Sequence, residues 1–239
     1  MRRSNRLYIF IAILLLMGPI SRLITGGFRS MMDGIIGSLY MIPGIAVGIS
    51  VHEFAHARTA VYWGDDTPER MGRVTLDPRA HIDLLGLIML LLIHFGWGKP
   101  VVINPQRFRK RRAGLITVGL AGVTMNLIVA IIFGGVVKLL TMTPYSSLTN
   151  ILVTIMYYVV VINITLMLFN LLPVPPLDGF GVVAEVFKLY DTRFYAFVQQ
   201  YGYWILIGMV MFNVPSLLLS RPMSFILRLI MTGIYGIAL

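Results

Sequence analysis

The chain has 239 residues, 57% of them hydrophobic and 13% charged, and a mean hydropathy of +0.83. That composition excludes an ordinary water-soluble domain and makes the bilayer the solvent. The net charge of +10 points to anionic lipid or nucleic acid, and the absence of cysteine rules out disulfides and thiolate metal sites, so any zinc must be held by histidine and carboxylate.

The basic opening MRRSNR precedes an apolar stretch from Leu7 to Met17. Gly18-Pro19-Ile20 offers no small-x-small cleavage site, so the stretch reads as an uncleaved first span over 7–24. Uncharged runs of roughly the 20 residues needed to cross hydrocarbon occur at 34–51, 113–137, 139–177 and 194–220. Further spans are therefore expected near 34–62, 113–138, 149–171, 200–218 and 222–238, with Arg228 interrupting the last. Asp65-Asp66-Thr67-Pro68 marks a turn after the second span, and Arg73-Val74-Thr75-Leu76 alternates as a short exposed strand would. The apolar run from Leu84 to Phe95 is too short to cross about 30 Å, which predicts a re-entrant segment. The expected fold is an all-α polytopic membrane protein of about six transmembrane helices, with a short β element and a re-entrant segment between the second and third. No repeat or soluble appendage is visible, so residues 1–239 read as one membrane-embedded domain.

Placing the N-terminus in the cytoplasm puts fourteen of the twenty basic residues on the inner side and four outside. The densest cluster, Arg107, Arg109, Lys110, Arg111 and Arg112, reads as an anchor among anionic headgroups at the start of a span. It lacks the interleaved aromatics of a nucleic-acid stacking groove, and nucleic acid is not expected as a partner.

The chemistry lies in the second span. His52-Glu53-Phe54-Ala55-His56 sets two imidazoles at i and i+4, nearly eclipsed on one helical face, so both can reach one Zn²⁺ at about 2.0–2.1 Å. Glu53, beside the first ligand, is positioned to take a proton from water activated by the ion. Eighteen uncharged residues precede His52, so Glu53 is a carboxylate toward the inner end of a membrane helix and needs compensation. Catalytic zinc generally keeps three protein ligands and one open position. Asp178 is the candidate third ligand, because Asn170-Leu171-Leu172-Pro173-Val174-Pro175-Pro176-Leu177-Asp178-Gly179 cannot continue a regular helix. A broken helix at membrane depth is tolerated where it is buried in protein or lines a water-filled cavity. Asn170 either orients a ligand or caps the broken helix. His81 and His94 lie outside any ligand spacing and are not expected at the metal.

These motifs resemble those of the site-2 protease family of zinc intramembrane metalloproteases, in particular its minimal bacterial members. HEFAH at 52–56 and NLLPVPPLDG at 170–179 are similar to the family's two metal motifs, and the resemblance extends over residues 34–180 as a catalytic core. Gly64-Asp65, Gly98-Lys99-Pro100 and Ala121-Gly122-Val123-Thr124-Met125-Asn126 belong to it, with Val123 where the family usually has proline. The resemblance implies one Zn²⁺ per chain, a role for Asn126 in binding substrate backbone or supporting the site, and cleavage of a transmembrane or membrane-inserted segment of another protein. Such a substrate must unwind first, and an edge at 73–76 or in the re-entrant segment can accept it by strand addition. The active site is expected toward the cytoplasmic side of the cell membrane. The competing reading is a non-catalytic zinc scaffold or metal transporter built on the same ligands.

Overall fold

The long uncharged runs become long helices. A computed structural model describes residues 2–93 and 96–238, with side chains described at 24–91 and 96–238; His94 lies outside the described residues. The elements in chain order are α1 (Arg2–Trp63), α2 (Thr67–Arg70), α3 (Pro78–His81), α4 (Leu84–Ile93), α5 (Arg111–Thr141), α6 (Ser147–Asn170), α7 (Asp178–Phe187), α8 (Arg193–Met211) and α9 (Val214–Arg228). A π-turn over Leu229–Ile234 extends α9. Among the described residues four helices are long and apolar enough to cross a membrane: Ile24–Trp63, Arg111–Thr141, Ser147–Asn170 and Val214–Ile234.

The first helix is two helices joined at Gly27, whose φ of 71° and ψ of −175° lie in a region costly for any residue with a Cβ. Its second half packs on α5 and α6. Gly44 and Gly48 lead that face: a Cβ on either would lie 2.8 Å from Ile162 Cδ1 or 2.6 Å from Leu166 Cδ1. Small residues four apart let helix backbones approach closely where lipid supplies no hydrophobic drive, and His52 follows Gly48 on the same face. Behind this pair, Val123, Ala130 and Val137 of α5 meet Val160, Ile164 and Met167 of α6 and Ile230 and Met231 of the π-turn in one buried core.

Two sequence expectations need correction. The last two helices divide at Phe212–Asn213, not near 219–221. Asn213, just past α8, takes the left-handed conformation (φ 56°) that commonly ends a helix, and Pro215 lies in the first turn of α9, whereas α9 continues past Pro222. The strand expected at 73–76 is also absent; those residues bend around His81. The Arg73 guanidinium donates to Ala80 O and the fully buried His81 ring donates from Nε2 to Thr75 O at 2.8 Å. Alternation there serves a wrapped loop, so 73–76 offers no free edge for strand addition. The only β pairing among the described residues is a bridge between Ile82 and Gly98, reinforced by Lys99 N–H donating to His81 O at 2.6 Å. The segment bearing α4 thus returns to where it left, and α4 leans on α1, where Ser38 Oγ donates to Leu91 O.

Asp65 fastens the connection from α1 toward α5. Its carboxylate is fully buried, with Oδ1 accepting Thr67 N–H at 3.0 Å and Oδ2 accepting Asn104 N–H at 2.6 Å. Burial pushes this carboxyl up, but the Asn104 and Thr67 donors and nearby Arg107 outweigh it and hold it below the usual carboxylate range. The shift is downward, so the stabilisation is intact above the unfolded value of about 3.9 and is lost as pH falls through the folded value. Asp65→Asn, which cannot accept both N–H groups, is expected to lower stability by about 1–3 kcal/mol at neutral pH. The difference from wild type should close on acidification, as read by urea or thermal unfolding in detergent; an equal gap at all pH values contradicts this role.

Candidate metal centre

Three of the residues singled out in the sequence converge. His52 and His56 Nε2 lie 2.9 Å apart, and Asp178 Oδ2 is 3.0 Å from the first and 3.2 Å from the second. The imidazoles stand edge to face, centroids 4.5 Å apart. Each has its other nitrogen engaged: His52 Nδ1 lies 2.7 Å from Asn126 Oδ1, and His56 Nδ1 lies 2.7 Å from Val118 O. A carbonyl oxygen can only accept, so both Nδ1 atoms carry the hydrogen, and in the neutral rings both Nε2 atoms present lone pairs. Asp178 Oδ2 is buried and has no hydrogen-bond donor. Two lone pairs and a carboxylate oxygen therefore face one another with no donor between them. Such a group repels itself unless a metal cation or an added proton sits among the three. Ligands about 2.0–2.1 Å from a tetrahedral ion would stand roughly 3.3 Å apart, within a few tenths of an ångström of the spacing here. The donor set fits a metal of intermediate softness such as zinc.

The surroundings fix this arrangement. Asn126 is fully buried, and its Nδ2 donates to Gly48 O at 3.0 Å and to Asn163 Oδ1 at 2.9 Å. Those two bonds set the amide orientation, turn Oδ1 toward His52, and tie α1, α5 and α6 together behind that ring. Both of its N–H donors are spent there, and α5 continues unbroken through the buried Val123. Gly122 forms the floor: a Cβ would lie 2.5 Å from His52 Cε1 and 2.6 Å from His56 Nε2, so only glycine leaves room for the rings. Spacing alone did not single out Gly122 or Asn163.

Glu53 lines the same cavity of about 350 Å³ as His52, His56 and Asp178. Its Oε2 accepts Val101 N–H at 2.9 Å, so the chain returning from the α4 segment anchors one carboxylate oxygen and leaves the other. Asn170 also lines the cavity, while its Nδ2 donates to Leu166 O within α6. A sequence model of peptidase family M50 matches residues 133–212. Among relatives, "Putative zinc metalloprotease YwhC" of Bacillus subtilis (strain 168) is 34% identical over 181 residues, covering 74% of this chain and 81% of its own. "Putative zinc metalloprotease Rip2" of Mycobacterium tuberculosis (strain ATCC 35801 / TMC 107 / Erdman) is 31% identical, covering 74% and 68%. The Mycolicibacterium smegmatis (strain ATCC 700084 / mc(2)155) protein of the same name is 28% identical, covering 75% and 68%. No solved structure matches. The chain belongs to peptidase family M50.

The stretch matched to family M50 contains Asp178 and Asn170 and lies wholly C-terminal to His52, Glu53 and His56. In this M50 chain Asp178 opens α7, just after the prolines, where helical backbone resumes. The far end of α7 is held by the basic cluster. Arg112 donates to Glu185 O at 3.2 Å and to Val186 O at 3.0 Å, a cation on the negative end of the helix. Buried Glu185 accepts the Tyr190 hydroxyl at 2.5 Å, with Arg111 at 3.8 Å. Burial and the Glu185 carboxylate push the Tyr190 hydroxyl above the usual tyrosine range, so it stays a donor. Arg107 pairs with Asp66, and Arg109 donates to Tyr62 O. Four of the five cationic residues expected at headgroups thus make internal bonds, and Lys110 remains exposed ahead of α5.

Proposed function

We propose that this protein is a zinc-dependent intramembrane endopeptidase of the site-2 type, with His52, His56 and Asp178 as ligands of one Zn²⁺ and Glu53 as the catalytic base. The observation that carries the reading is the set of three buried acceptor atoms within 3.2 Å of one another, facing a cavity that Glu53 also lines. Zinc bound there supplies Lewis-acid activation of water and of the scissile carbonyl. Glu53 takes the proton of the attacking water on Oε1, because Oε2 is held by Val101 N–H, and delivers it to the leaving amine. His52 and His56 keep their Nδ1 hydrogens throughout, held by Asn126 and Val118. The broken segment at 171–177 and the residues around Pro100 give the cavity its non-helical walls, the kind of backbone that membrane depth tolerates around water.

The substrate is a transmembrane or membrane-inserted segment of another protein, unwound to reach the cavity. The pairing of Ile82 with Gly98 supports reading the α4 segment as re-entrant, entering and leaving on one side. With the N-terminus in the cytoplasm, the basic connection between α1 and α5 lies on that side and the active site opens toward it. Residues 1–239 form a single membrane-embedded protease domain in this reading. Comparative membrane proteomics of cells carrying wild type or Glu53→Gln tests it: a membrane protein should accumulate uncut only in the variant, and identical proteomes count against it.

Asn126 acts on the metal through His52. Asn126→Leu is expected to weaken zinc about 10–100-fold in competition with a chelator, the usual loss when a ligating histidine loses its partner. Asn126→Asp keeps the acceptor oxygen and should lose less. Equal zinc affinity in wild type and Asn126→Leu would show that His52 needs no such support.

A further inference from the structure

A second cavity of about 270 Å³ adjoins the first across Pro176, Leu177 and Gly181, which line both. Gly181 lies three residues after Asp178 on α7, on the same helical face. A Cβ placed on Gly181 meets nothing within 4 Å, so the partition is thin backbone beside open space. The walls beyond it are apolar and fixed. Phe180 is buried against Ala184 and Val198 and stacks on Tyr195 with centroids 5.7 Å apart. Gly202 of α8 explains how Pro175 becomes part of the wall: its absent Cβ would lie 2.8–3.0 Å from the proline ring, so α8 closes on the broken segment. That approach brings Gln199 and Tyr203, one helical turn apart, into the lining.

We propose that this second cavity is a side-chain subsite: a substrate lying extended across His52, Glu53 and Asp178 passes one bulky apolar residue over Gly181 into it. The inference rests on the protease reading above. The size argues for one side chain, since cavities that enclose a whole small molecule run about 300–1,000 Å³. The lining argues for an apolar one, because Pro175, Pro176, Leu177 and Phe180 offer no charge. Adjacency to the cavity of the metal residues, across the shared wall of Pro176, Leu177 and Gly181, argues for a peptide as the occupant. Alternate residues of an extended strand point to opposite faces, so a pocket on one side reads one residue close to the cleaved bond and not its immediate neighbours. In a hydrophobic pocket each methylene is worth about 10–200-fold in discrimination, enough for the subsite to dominate the choice of cleavage position.

The test uses the zinc-loaded full chain in detergent and a proteome-derived peptide library, with cleaved bonds identified by mass spectrometry. Wild type is expected to enrich Leu, Met, Phe or Tyr at one position within two residues of the cleaved bond. Gly181→Leu fills the junction and should deplete those residues at that position at least tenfold relative to Gly, Ala and Ser, with zinc content equal to wild type. Tyr203→Ala, which touches only the second cavity, should shift the same position toward larger aromatic residues, and it decides the matter if Gly181→Leu folds poorly. A wild-type profile without preference at any position, or variants that keep the wild-type profile, overturns the subsite and leaves the cavity to an acyl chain. A wild type that cuts no more peptides than Glu53→Gln overturns the protease reading and the subsite with it.

Discussion

Glu53→Gln should retain one zinc per chain and lose proteolysis by about 10²–10⁴-fold, the range for removing a positioned general base. The substitution isolates the base because glutamine has the same shape and can still accept Val101 N–H, the contact that Glu53 Oε2 makes at 2.9 Å. It cannot carry a proton from water to an amine. Glu53 takes no part in the three-atom cluster of His52, His56 and Asp178, so metal content should not follow activity. Zinc by elemental analysis, measured beside cleavage of the peptide library, separates the two quantities. A metal transporter or a zinc scaffold would keep its function in this variant, since neither needs a group that cycles between carboxylate and acid. Retained cleavage with zinc bound would remove Glu53 from the mechanism.

How much of this was legible in the sequence depended on the range of the interaction. His52 and His56 could be paired from spacing because a helix brings i and i+4 together wherever it lies. Asp178 was legible for another reason: Pro173, Pro175 and Pro176 mark a break that an apolar run would not otherwise have. The partners that hold the site have no such local mark. Gly122 is one of 23 glycines, and only the approach of α1 to α5 reveals why it must be glycine. Asn163 looks like an isolated polar residue in α6 until its Oδ1 meets Asn126. The basic cluster shows the same limit. Arg111 and Arg112 open α5, where cations oppose the helix dipole, and the sequence offers a membrane surface as compensation. The internal partners, buried Glu185 and the end of α7, lie more than 70 residues away in the chain and leave no local mark beside the cluster. At 73–76 the alternation was real but served to wrap His81, a tertiary use that period-two patterning cannot distinguish from a strand.

Removing one of the three proposed ligands should do more than removing the support of one. His56→Ala takes one of the three acceptors away and leaves His52 Nε2 and Asp178 Oδ2, 3.0 Å apart, as a two-point site. Zinc should then be stripped by a chelator concentration that leaves wild type loaded, with a loss well beyond the 10–100-fold expected for a partner such as Asn126. Proteolysis should fall to the uncatalysed level, because the Glu53 base has no activated water to serve. The two losses must appear together, unlike the separation expected for Glu53→Gln. Folding need not fail, since the helices are held independently by the Gly44 and Gly48 face, the core around Val160 and Ile164, and the Asn126–Asn163 contact. Unfolding in detergent checks that point. The physical content lies in the protonation states: with Nδ1 of each ring committed to a carbonyl, the Nε2 lone pairs and the carboxylate are satisfied together by a metal cation, without protonating either ring. If His56→Ala holds zinc as tightly as wild type, that cation is not at this site, and the search for the metal must move elsewhere in the chain.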